Sequence, residues 1–353
     1  MAVLRPAGEF DTSYAYDMAS IRRRWQWVLL AISIVALYTL PLYANRSTVA
    51  LVNRIGIAII SVQGLNLLIG YTGQISLGQA AFMMVGGYIS ALLVGNLGLS
   101  IVIALPAAGL GAGLVGLFFG LPSLRVKGFY LAMATLAAQF IIPWFLRHAF
   151  PDILNETQGL IVEVPVLLGI RFGDPNSFLM LTATVLLITT VVAHNIARSR
   201  LGRAFVAIRD NDLAAELLGV NLFRYKLIAF FLAAVYAGLA GALSAHYFRH
   251  INSETFNLGD SIILLGMLVV GGLGTSLGPF LGAIVVQLLI EGATVLAPAF
   301  VQLFPGSEGH AVQAFKPLFF GLTLMLFLIL EPRGLAHRWQ IIKASWRLRP
   351  FSF

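Results

Sequence analysis

The sequence predicts an all-α polytopic membrane protein with about eight to ten transmembrane helices, some of them interrupted by glycine. Three observations carry that class. Hydrophobic residues make up 59% of the 353 residues and charged residues only 11%, roughly half the charged share usual in a soluble domain. The mean hydropathy is +0.88. Apolar runs of about 20 residues, the length that crosses about 30 Å of hydrocarbon, recur along the chain.

The first run, 25–44, follows Arg22, Arg23 and Arg24. It is longer than a signal-peptide core and lacks a small-x-small cleavage site, so it reads as a retained helix behind an N-terminal arm of residues 1–24. Further runs fall at 49–69, 77–95, 99–121, 128–146, 177–196, 226–247, 260–274, 279–298 and 315–330. Those at 77–95 and 260–274 are Gly-rich or short and read as full or half spans. The transmembrane domain then covers 25–335, and 336–353 form a C-terminal tail.

With ten spans and the N-terminus inside, 17 Lys and Arg residues share the side of the two termini. Arg46, Arg147, Arg171, Arg249 and Lys316 lie opposite. Positive loops stay cytoplasmic, so both termini and the charged connection 198–224 are expected in the cytoplasm of a cell whose plasma membrane holds the chain. The acidic residues Asp152, Glu156, Glu163, Asp174, Glu254, Asp260 and Glu308 fall on the outer face. They either dock a soluble partner or are solvated loop charges. The net charge of +8 lies in these short loops, without the aromatic-interleaved face of a nucleic-acid binder. There is no cysteine, and no metal or cofactor site is expected.

Two motifs dissolve on inspection. Gly111, Gly113 and Gly116 match the dinucleotide fingerprint, but inside a span they read as small residues at a helix contact. Gly274-Thr275-Ser276-Leu277-Gly278 matches a nucleophile elbow that has no evident base for Ser276. No phosphate loop occurs, so any ATP is bound by another polypeptide.

An internal echo is more informative. Gly70-Tyr71-Thr72-Gly73-Gln74-Ile75-Ser76-Leu77-Gly78 recurs, one residue shorter, from Gly271 to Gly278. Paired Gly-interrupted segments often mark broken helices beside a transport path, and the alternative is a pair of ordinary turns. Path candidates are Gln63, Asn66, Thr72, Gly73, Gln74, Ser76, Gln79, Gly271 and Gly274. Their neutral amides and hydroxyls suit brief contact with a zwitterion, and suit bonding between helices equally well. Arg54 and Glu291 are ionisable residues inside spans and need a partner or an aqueous path.

The stretch Ser199–Val220 is a charged island too small to hold a core of its own. It reads as two short helices: Arg203–Arg209, then one capped by Asp210, Asn211 or Asp212 and ended by Gly219. Leu213 and Leu217 share one face, with Asp212 and Glu216 beside them, as in a helix that docks in a groove. A solvated loop helix is the plain alternative.

The run Gly64–Phe82, the segment Gly128–Leu136, the island, and Gly266–Gly282 resemble, in order, segments of LivM-type permeases of branched-chain amino-acid ABC importers. The resemblance covers about residues 55–335. It implies an ABC-importer permease fold in a bacterial inner membrane. The implied partners are a LivH-type second permease, two cytoplasmic ATPase subunits and a periplasmic substrate-binding protein, with no catalysis in this chain. It also implies that Arg200, Gly202, Arg203, Arg209, Asp210, Asp212, Ala215, Leu217, Leu218 and Gly219 couple to the ATPase. The expected cargo is a branched-chain or related amino acid. Urea, short amides or aromatic acids are alternatives within the class, and an ion-coupled carrier is the alternative outside it. The outer segment Asn155–Leu160 departs from the Gly-rich pattern expected there.

Overall fold

A computed structural model describes residues 24–124, 126, 128–149, 159–167, 170–252, 254–303 and 308–348. The arm before Arg24, Arg125, Lys127, Asp152, the segment Asn155–Gln158 and the last five residues lie outside them.

Helix α1 (Arg24–Tyr43) is followed by α2 (Arg46–Leu65), which continues as a π turn over Asn66–Tyr71. Helices α3 (Gln79–Gly95), α4 (Ile101–Gly120), α5 (Phe129–Ala149) and α6 (Pro175–Arg198) follow. The island forms α7 (Arg200–Asp210) and α8 (Asp212–Leu217). The chain ends with α9 (Leu222–Phe248), α10 (Leu258–Gly271), α11 (Gly278–Leu303), α12 (Glu308–Leu330) and α13 (Leu335–Leu348). Among the described residues eight helical segments are long and apolar enough to cross a membrane, whereas α3 and α10 are shorter apolar helices. This is an all-α polytopic membrane protein.

Helix α9 is the central post, packed on α2, α3 and α4. Small residues make that possible. A Cβ on Gly241 would lie 1.9 Å from the Met83 carbonyl oxygen, and one on Gly86 would lie 2.3 Å from Gly238. Without a hydrophobic driving force between helices in lipid, such close approach is how they gain contact. The dinucleotide-like glycines do the same: a Cβ on Gly116 would meet Ala234 Cβ at 2.3 Å, and one on Gly113 would meet Phe231 and Val235 at 2.7 Å.

Helix α10 starts partway down the helical layer. After α9 the chain turns at Arg249 (φ 58°), and β4 (His250–Ile251) pairs antiparallel with β1 (Leu160–Ile161). It then descends to Phe256. The carbonyl of Phe256 accepts from Gln139 Nε2 at 2.8 Å, midway along α5, and its ring lies beside Gly87, midway along α3. Helix α10 therefore needs only 14 residues, about 21 Å at 1.5 Å per residue, to reach the island end. Asn257 and Asp260 close a capping box at its start. A second pair, β2 (Val166–Leu167) with β3 (Ile170–Arg171), completes the connection opposite the island.

Candidate translocation and coupling site

Both glycine echoes are backbone breaks, and the fold sets them side by side. The first, 72–78, joins the π turn to α3; the second, 272–277, joins α10 to α11. Asn66 bridges them. Its Nδ2 donates to the Thr275 carbonyl at 2.9 Å, and its Oδ1 accepts from the Gly274 N–H at 2.9 Å. Gly70 has to be glycine, because a Cβ there would lie 2.1 Å from Asn66 Oδ1 and 2.4 Å from Gly274 N. Gly73 (φ 70°) and Gly274 (φ 68°) occupy left-handed backbone that L side chains rarely adopt. Gly271 closes the second break, since a Cβ on it would lie 2.0 Å from the Gly278 carbonyl oxygen.

The polar residues of the first segment are buried, and many are only partly bonded. Gln63 Nε2 donates to Thr190 Oγ1 on α6 at 2.7 Å. Gln63 and Asn66 thus reach different elements, because the helix widens into the π turn at Asn66. Thr72 donates back to the Leu68 carbonyl. Gln79 Nε2 donates to the Ser61 carbonyl at 3.0 Å. Gln63 Oε1, Gln79 Oε1, Ser76 Oγ and both amide atoms of Gln74 are buried without a hydrogen-bond partner. Asn53 Oδ1 and Arg54 Nε, earlier on α2, are likewise buried without a partner.

Supporting residues went unremarked in the sequence. Gln139 Oε1 accepts from the Ala81 N–H at 3.0 Å and from Ser261 Oγ at 3.1 Å, while Ser261 Oγ accepts from the Ala80 N–H at 2.9 Å. Thr135 Oγ1 accepts from the Leu77 N–H at 3.0 Å. Ser261 and Gln139 thus satisfy two of the orphan donors at the start of α3, and Thr135 a donor in the break just before it. The available signal was single polar residues inside apolar runs.

The island packs directly on the first break. Ser199 caps α7, Asn211 Oδ1 accepts from the Ala214 N–H at 3.1 Å to cap α8, and Gly219 (φ 85°) ends α8. Phe205 is fully buried in a small cluster with Leu68 of the π turn, Leu131 and Phe230. Arg209 Nη1 donates to the Gly70 carbonyl at 2.9 Å, and Arg209 also pairs with Asp210 at 3.1 Å. Gly202 and Ala215 are buried against the rest of the chain. Arg200 and Arg203 are exposed, as are Leu213, Leu217 and Leu218, the last two at 89% and 84%. Asp212 is half-buried and lies 3.9 Å from Lys226 Nζ on α9. Away from the breaks, Arg54 and Glu291 pair across α2 and α11 at 2.8 Å. Ser276 is exposed in a turn, not set on a strand-to-helix elbow.

Comparison with known proteins agrees with this architecture. The family model described as "Branched-chain amino acid transport system / permease component" matches residues 47–328. The high-affinity branched-chain amino acid transport system permease protein LivM of Escherichia coli (strain K12) is 30% identical over 345 residues, covering 91% of this chain and 76% of that one. Its counterpart in Salmonella typhimurium is 29% identical over the same shares. The ribose import permease protein RbsC of Escherichia coli is 23% identical over 279 residues, covering 76% of this chain and 84% of that one. With the match running from α2 into α12 and taking in both breaks and the island, the chain belongs to the family of permease components of branched-chain amino-acid transport systems.

Proposed function

We propose that this chain is the permease subunit of an ATP-driven importer that carries branched-chain or closely related amino acids across the inner membrane. The island face is cytoplasmic, and the outward leucines of α8 dock an ATPase subunit. ATP hydrolysis resides in that separate subunit. A LivH-type permease completes the transmembrane pair, and a periplasmic binding protein delivers the cargo to the opposite face.

The observation that carries this reading is the Arg209 contact with the Gly70 carbonyl. It joins the docking island to the place where both spans break. A push on α7 is therefore transmitted, through Arg209 on Gly70 and through Phe205 against Leu68, to the π turn that leads into the first break. The half-bonded amides of Gln63 and Gln79 and the unbonded amide of Gln74 supply neutral contacts in and beside the first break. Such contacts hold a zwitterion briefly, and selectivity rests with the binding protein.

Uptake of labelled leucine, urea and benzoate, measured in a deletion strain carrying the whole system, tests the cargo. Leucine uptake that stops when the ATPase genes are removed is the expected result. Transport of benzoate alone would overturn the neutral-path reading.

A further inference from the structure

Arg54 and Glu291 pair at membrane depth without being covered by the rest of the chain. At 1.5 Å per residue, Arg54 lies about 12 Å from the start of α2 and Glu291 about 20 Å from the start of α11. Their side chains are nevertheless 33% and 41% exposed. At that depth an exposed charged pair meets hydrocarbon, protein or water, and hydrocarbon is the costly neighbour. Glu291 also stands in the middle of its helix's outward face. Ile284, Leu288, Glu291 and Val295 follow at spacings of four, three and four residues, while the buried Gly282, Val286 and Ala293 occupy the opposite side of α11. Gln287, one turn before Glu291, adds a half-buried amide beside this stripe, and a Cβ on Gly292 would meet nothing within 4 Å. By contrast, the exposed positions of α4 and of 317–330 on α12 are apolar throughout, as a lipid-facing surface requires.

We infer that this stripe of α11, with Arg54 beside it, is the surface on which the second permease subunit packs. Its four-three-four spacing is the seam by which two long helices pack at a small crossing angle. Three of the four positions are aliphatic, which suits a facing helix and not the wall of an aqueous path. The open space over Gly292 lets that helix approach closely. Once it is seated, the ion pair is closed off from lipid. The facing helix carries an amide or a hydroxyl at the depth of Glu291, because a carboxylate accepts several hydrogen bonds and Arg54 Nη2 supplies one at 2.8 Å. The inference rests on the two-permease assembly proposed above and names the face of this chain that makes it.

The test is photo-crosslinking in membranes of a strain that makes the whole transporter, with p-benzoylphenylalanine placed at one position at a time. From Leu288 and from Val295 the expected product joins this chain to the second permease, identified by mass spectrometry. From Leu114 on α4 and Met325 on α12, exposed to 64% and 59%, that product should be lost. Leu288→Trp, too large for the seam, should lower the amount of second permease that co-purifies severalfold, whereas Leu114→Trp should leave it at the parental level. The chain has no cysteine, so Leu288→Cys reports water access, and it should resist a membrane-impermeant maleimide. Rapid labelling of Leu288→Cys would make the stripe an aqueous wall and overturn the inference. Crosslinks from the stripe only to lipid or to a second copy of this chain, equal crosslinking from the control positions, or parental co-purification of Leu288→Trp would overturn it too. Failure of the assembly reading looks different: no second permease co-purifies with the parent chain at all.

Discussion

The side-chain oxygen of Asn66 accepts the backbone N–H of Gly274 at 2.9 Å, across 208 residues of sequence. With the bond from Asn66 Nδ2 to the Thr275 carbonyl, one amide satisfies a donor and an acceptor that the second break leaves without helical partners. Replacing Asn66 with Asp keeps the acceptor but turns a carboxylate oxygen toward the Thr275 carbonyl. Stability should fall by about 1–3 kcal/mol, the cost of an unsatisfied buried polar group. Uptake should fall with it. Thermal unfolding of the purified transporter beside an uptake assay measures both, and a variant unchanged in each would remove Asn66 from its bridging role.

Glycine at position 70 is required by the space around it. Gly70→Ala places a methyl 2.1 Å from Asn66 Oδ1 and 2.4 Å from the Gly274 nitrogen, so the two breaks must separate. Gly95→Ala and Gly292→Ala meet nothing within 4 Å and serve as controls. The expected outcome is transport lost in Gly70→Ala, with membrane insertion retained, and parental transport in the controls. Parental rates in all three would mean that the breaks are passive turns.

Arg54 and Glu291 pair at 2.8 Å across α2 and α11, eight and thirteen residues from the starts of their helices. Losing one partner leaves a lone charge at membrane depth, a burden of roughly 2.5–3.5 kcal/mol on insertion scales. Arg54→Gln and Glu291→Gln should each lower folded yield, and the double variant should recover part of the loss. Fluorescence-detected size exclusion of the three variants reads the coupling. Additive losses would show that the contact contributes nothing.

Much of this architecture is legible in the sequence because span length and apolar content are local properties. The runs 49–69 and 99–121 correspond to Arg46–Tyr71 and Ile101–Gly120, and the short run 260–274 to the half-depth helix Leu258–Gly271. The island divides at Asn211 and ends at Gly219, where cap chemistry placed its boundaries. What escapes is every relationship made across distance. Gln139 and Ser261 are 122 positions apart and look like isolated polar residues in apolar helices, yet they meet at the start of α3. The descent of the chain to Phe256 is invisible because nothing local states how deep a loop lies. Arg209 is one basic loop residue among many until the fold brings Gly70 to it.

The island separates docking from packing on its two faces, and the last prediction exploits that division. Leu217 is 89% exposed, so Leu217→Asp disturbs little packing among the described residues. If α8 enters an apolar groove on the ATPase, a charge there costs several kcal/mol and docking fails. The permease should then purify with parental stability but without its ATPase subunits, and ATP-driven uptake should vanish. Phe205 is fully buried against Leu68, so Phe205→Ala acts from within. It should destabilise the fold by about 3–5 kcal/mol, as buried Phe-to-Ala changes do, and loosen α7 from the π turn. Partial rescue of ATPase binding at low temperature is expected for Phe205→Ala and not for Leu217→Asp. Co-purification of the ATPase subunits at two temperatures, with uptake measured in parallel, distinguishes the two faces. Normal assembly and normal uptake in Leu217→Asp would show that α8 is a solvated loop helix and that coupling runs through another surface.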